Sequence, residues 1–115
     1  MYQIKWSGEA EEFYRNLQAK AEKSYQNRVR KGIKKSSKNE GLFKQIRKTI
    51  KLLGENPRHP GLETHPFTSL KHPYNSKEKV FEAYAQNKTP SAYRVFLCYG
   101  PQQGEITIIS ITSHP

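Results

Sequence analysis

A chain of 115 residues with a net charge of +10 and a mean hydropathy of −0.92 has room for one modest core and a broad cationic surface. No apolar run approaches the about 20 residues of a spanning helix, and residues 1–6 lack the apolar stretch of a secretory signal. The lone Cys98 has no internal disulfide partner, so membrane insertion and export are not expected; a reducing cytoplasm and a single domain over residues 1–115 are.

Residues 2–6 alternate larger apolar and polar side chains, as a half-buried strand does. Ser7 can then cap a helix in which Phe13, Leu17, Ala21, Tyr25, Val29 and Ile33 recur every fourth residue. That spacing drifts around a helix, so its first half should pack while its second half projects or bends near Gly32. A polar turn at 36–39 leads to a second helix over residues 40–53, striped with Leu42, Ile46, Ile50 and Leu53, with Gly54 as its C′ residue. The short turn makes the pair an antiparallel hairpin. Residues 57–78 read as a loop containing one short strand near 63–70. Strands follow at 80–85, 93–99 and 106–112, the middle and last joined by a Gly-Pro-Gln-Gln-Gly turn. The order β-α-α-β-β-β-β predicts an α+β fold, with the hairpin on one face of a small, mainly antiparallel sheet.

If Tyr99 pairs with Glu105 across the last turn, Arg94 lies opposite Ser110. It then shares the open face with Phe96, Cys98, Ile106, Ile108, Ser110, Thr112 and, past the strand, His114, while Val95, Leu97, Tyr99, Ile109 and Ile111 face the helices. A one-residue slip would undo this assignment. The bland role for Arg94 is an ion pair with Glu82 or Glu105.

All four histidines, His59, His65, His72 and His114, precede prolines, which biases them onto extended or turn backbone. Imidazole is the side chain best suited to proton transfer near neutrality. A single His-Pro pair more often merely punctuates a loop. The basic residues are one-sided in sign and run through both helices: Arg28, Lys31, Lys34, Lys35 and Lys38 near the turn, Lys44 and Lys48 beyond it. Together with Lys71 and the ring of Tyr84 they suit an RNA backbone and its bases; the plain alternative is a solvated surface. No paired Cys/His spacing suggests zinc, and no metal or small-molecule cofactor is expected.

Four segments carry a resemblance: residues 53–57, 60–67 with His65-Pro66-Phe67, 92–96 with Tyr93-Arg94, and 105–114 ending on Ser113-His114. In these the chain resembles the RelE/ParE toxin superfamily over nearly its whole length. The resemblance implies a toxin of a type II toxin–antitoxin pair. Its targets would be messenger RNA on the ribosome, its partner a cognate antitoxin that is acidic or DNA-binding, and its effect a block of translation. It implies that Arg94 contacts the scissile phosphate. His65 and His114, placed as the histidines of the YafQ-like branch are, would move protons. Two other classes stay open: a non-enzymatic, ParE-like inhibitor of DNA gyrase, and a degenerate member that binds nucleic acid without cutting it. Glu82, Ala83 and Tyr84 stand where RelE carries lysines. On the open-face reading, replacing His65, Arg94 or His114 should cost little stability.

Overall fold

The computed structural model describes residues 1–86 and 91–113. Its elements are β1 (Gln3–Trp6), α1 (Gly8–Arg30), α2 (Lys38–Glu55), a 3₁₀ turn (Pro60–Leu62), β2 (His65–Phe67), β3 (Val80–Tyr84), β4 (Tyr93–Tyr99) and β5 (Glu105–Ser113). They build the expected α+β architecture: two helices packed on one face of a five-stranded sheet ordered β1-β5-β4-β3-β2. β1 runs parallel to β5, and every other pair is antiparallel.

Capping explains the helix ends. Ser7 Oγ accepts from the Ala10 N–H at 3.0 Å and donates to the Ile109 carbonyl at 2.6 Å, so one hydroxyl starts α1 and ties it to β5. α1 stops because Gly32 adopts φ +72°, which lets the Ile33 N–H reach Arg28 O and the Gly32 N–H reach Val29 O. α2 opens two residues earlier than its periodicity suggested, on a capping box formed by Ser37 and Glu40. Gly54 is not the C′ residue. It lies inside α2 beneath β1, where an added Cβ would stand 3.5 Å from the Tyr2 carbonyl, and its own carbonyl accepts the Tyr2 N–H.

The core lies between hairpin and sheet. Ala10, Leu17, Ile46, Ile50 and Leu53 meet Ala83, Val95, Leu97, Ile106, Ile108 and Ile111. Burial along α1 ends at Ala21; Tyr25, Val29 and Ile33 are about half exposed, as the drifting apolar spacing requires. The hairpin tip accordingly projects, and the molecule measures 52 × 27 × 24 Å.

The β4–β5 register corrects the sequence-based one. Tyr99 pairs with Ile106 and Arg94 with Thr112, because a bulge between Phe96 and Leu97 leaves Ile109 without a partner. The extra residue resets the alternation, so Ile106, Ile108 and Ile111 all face the helices and Ile109 does not join them in the core. Arg94, Phe96, Cys98, Ser110 and Thr112 keep the open face assigned to them. The bulge's spare carbonyl is the one Ser7 satisfies.

Candidate active site

The open face is ordered in rows by the strand registers. His65 is opposite Glu82, Glu82 opposite Phe96, and Phe96 opposite Ser110; one step along, Tyr84, Arg94 and Thr112 form the next row. Side chains on one face of neighbouring strands touch directly and diagonally. Glu82 consequently reaches both functional candidates: Oε1 lies 2.6 Å from His65 Nε2, and Oε2 is ion-paired with Arg94 Nη1. The carboxylate is 2% exposed and Arg94 is 6% exposed, whereas the His65 side chain keeps 43% of its surface in solvent. A buried carboxylate needs such partners to remain charged.

His65 is held from both sides. Its Nδ1 lies 2.8 Å from the Glu63 carbonyl, presented by a residue in the left-handed region at φ 49°. A carbonyl can only accept, so Nδ1 carries a proton, and the ring turns Nε2 toward Glu82. One proton is thus shared between Glu82 and Nε2. The Tyr84 ring lies 5.7 Å from the imidazole. Arg94 stands over Phe96, 5.5 Å from guanidinium carbon to ring centre. Its Nε is buried and has no hydrogen-bond partner among the described residues. Beside it runs a groove of about 590 Å³ bordered by Phe67, Leu70, Phe96, Ser110 and Thr112.

The remainder of the open face is closed by the segment after β2. His72 is buried; its Nδ1 accepts the N–H groups of Tyr74 and Asn75, each at 3.1 Å, so its proton sits on Nε2, which donates to the Tyr99 carbonyl at 2.8 Å. Tyr74 Oη lies 3.2 Å from Thr107 Oγ1, beneath which Cys98 is fully buried. Burial pushes the Cys98 thiol up to about 11, against a weaker opposing hydrogen bond from the Thr107 backbone, so it is no nucleophile at neutral pH.

Neither a family model nor a curated protein matches this sequence. Solved structures do. The YoeB dimer of Staphylococcus aureus superposes with a TM-score of 0.60 at 14% identity, covering 99% of this chain and 98% of that one. A YoeB/ParE toxin from Agrobacterium tumefaciens superposes with a TM-score of 0.59 at 11% identity, with both chains covered in full. The chain has the RelE/ParE-type toxin fold. At these identities the likeness carries the architecture, and the site must be judged on its own residues.

Within this RelE/ParE-type fold, His65 and Arg94 come together, joined by a residue that sequence reasoning cast as a departure. Glu82 was legible only as one possible partner of Arg94; the signal for more was a charge inside an apolar strand, which has to be paired. His114 lies outside the described residues. With Arg94 opposite Thr112 rather than Ser110, the arginine stands two residues nearer the end of β5 than expected. Of the basic residues, Lys48 joins Tyr84 and His59 around one groove beside the sheet edge, and Lys71 joins Phe67 and Leu70 around another. Lys44 is exposed on α2. Lys31, Lys34, Lys35 and Lys38 are exposed at the projecting tip, away from the sheet. Arg28 is committed to structure. Its Nε donates to both Glu40 oxygens, at 2.7 and 3.0 Å, and Nη1 donates to the Ile33 and Lys34 carbonyls. Tyr93 packs on Phe13 under the sheet. His59 caps the 3₁₀ turn through the Gly61 N–H. Among the described residues no cluster of three or more His, Cys, Asp or Glu side chains could hold a metal.

Proposed function

We propose that this chain is the toxin of a type II toxin–antitoxin pair and that it cleaves messenger RNA on the ribosome. The observation that carries the reading is the Glu82-centred cluster, which sets an exposed imidazole and a buried guanidinium on one sheet face. Cleavage by this route starts when the 2′-oxygen of a ribose attacks its neighbouring phosphorus. Once the proton it shares has passed to solvent, the His65–Glu82 pair accepts the proton of the 2′-hydroxyl. Arg94 keeps its Nη1 on Glu82 and presents the rest of its guanidinium, which borders the open-face groove, to a phosphoryl oxygen as negative charge builds there. The bond from phosphorus to the 5′-oxygen then breaks, the leaving oxygen takes a proton, and a 2′,3′-cyclic phosphate and a 5′-hydroxyl result. We assign that last proton to His114.

The reading extends to surfaces and partners. The exposed lysines at the hairpin tip suit ribosomal RNA, Lys48 and Lys71 suit the message near the sheet, and a +10 chain suits an acidic antitoxin in the cytoplasm. A gyrase inhibitor of the ParE kind would have no use for the imidazole, and the full pairing of Glu82 with Arg94 would then be purely structural. Mapping message ends after induction separates the two. Internal cuts in translated messages, relieved when an adjacent antitoxin gene is co-expressed, support the nuclease; growth arrest with intact messages overturns it.

A further inference from the structure

The groove beside Arg94 is used by no step above. Its wall combines an apolar floor, Phe67 packed on Phe96 at 4.7 Å between ring centres and continued by Leu70, with the hydroxyls of Ser110 and Thr112 along the β5 side. Among the described residues Arg94 is the sole charged one on that wall. This composition limits the ligand. A body resting here has to be flat or apolar beneath, polar at its edge, uncharged itself, and joined to at most one anionic group. The about 590 Å³ available lies in the range of small-ligand sites. Arg94 borders the groove, and its guanidinium is where the anionic group would bind.

We infer that this groove is a nucleobase subsite: the base next to the phosphate engaged by Arg94 rests on Phe67, and Ser110 and Thr112 meet its edge. The inference rests on the RNA-cleavage reading and deepens it by naming what selects the position of the cut. Phe67 is the accessible part of the platform, since Phe96 is 3% exposed beneath it. Aromatic stacking of a single base contributes about 1–3 kcal/mol and tolerates sequence, so the subsite should sense the presence of a base strongly and its identity through the hydroxyls only weakly.

The test compares two probes with the full chain: a 2′-O-methyl trinucleotide, which lacks the attacking hydroxyl, and a base-free sugar–phosphate trimer of equal charge. Fluorescence polarisation should show the wild type preferring the trinucleotide by about tenfold or more. Phe67→Leu, which keeps the apolar volume, should lose that preference while binding the base-free trimer as before. Phe67→Tyr should keep it, and this second variant separates loss of the ring from damage to the fold. Equal binding of both probes by the wild type overturns the subsite and leaves the phosphate reading standing. So does a full preference retained in Phe67→Leu. Binding of neither probe overturns both readings. Loss of antitoxin co-purification in Phe67→Leu, with probe binding unaltered, would give the groove to a protein partner instead.

Discussion

Arg94→Ala should be among the most destabilising substitutions in this chain, contrary to the small cost expected from an open-face arginine. The reason is Glu82. Its carboxylate is 2% exposed and has two partners, Arg94 and His65. Removing one member of a buried pair strands the other, at a cost of about 3–5 kcal/mol. His65 remains to share a proton with the carboxylate, which places the expected loss toward the lower end, about 3 kcal/mol. For a chain of this size each kcal/mol lowers the melting temperature by roughly 4–8 °C, so a fall on the order of 12–24 °C should follow. Urea denaturation at neutral pH reads the same quantity through the midpoint, at an unchanged slope. Glu82→Gln combined with Arg94→Met should recover much of the loss, because no charge is then left buried, and the double-mutant cycle gives the coupling between the two sites. A loss below about 1 kcal/mol for Arg94→Ala, the usual range for surface positions, would refute the buried pairing. So would simple additivity in the cycle.

Three further outcomes follow from other parts of the molecule. His72→Ala leaves the Tyr99 carbonyl and two backbone N–H groups without their partner and should cost about 1–3 kcal/mol in urea denaturation, although His72 takes no part in the chemistry. The Glu40 carboxyl is held below its ordinary range, chiefly by the Ser37 backbone N–H and further by Arg28, against a smaller effect of desolvation. A lowered folded value means stability that is present at neutral pH and lost as pH falls through that value, so the protection of residues 28–40 against hydrogen exchange should fall in acid before that of the sheet does, and equal protection throughout would contradict the clamp. Replacing Lys34, Lys35 and Lys38 together by glutamine should flatten the salt dependence of ribosome binding with the fold intact; an unchanged slope would make the tip a solvated surface only.

Much of the architecture was legible because periodicity reports burial. The strict four-residue spacing in α1 foretold both the packed half and the projecting half, and the β-branched runs located β4 and β5. The register was not legible, since a bulge has no composition of its own. Its trace lay in the apolar parity of β5, where Ile106 and Ile108 fall on one alternation and Ile109 and Ile111 on the other. A regular strand cannot bury all four on one face; an extra residue at Ile109 resolves the conflict for three of them. Gly54 misled for a related reason: a glycine after an apolar stripe looks like a helix stop, whereas here it admits the backbone of β1. At the site, His65 and Arg94 were found by residue type. The ion pair of Arg94 with Glu82 was one of two pairings open to the sequence; the share of His65 in it was hidden, because His65 and Glu82 are joined across strands, a relation that appears only once β2 and β3 are paired. The burial of His72 goes with a tertiary hydrogen bond to the Tyr99 carbonyl that no local pattern announces.

Whether the imidazole on Glu82 moves a proton during RNA cleavage is decided by one comparison. Purified wild-type protein and His65→Ala are each added to ribosomes stalled on a defined message, and the rate at which new 5′-hydroxyl ends appear is measured alongside the melting temperature. The wild type should cleave, and the rate should be lower by roughly 10²-fold or more in the variant, the scale of a lost general base, with a stability loss of about 1–3 kcal/mol from withdrawing one partner of the buried Glu82 carboxylate. Equal cleavage rates in the two proteins, or an intact message with the wild type, would contradict that role for His65.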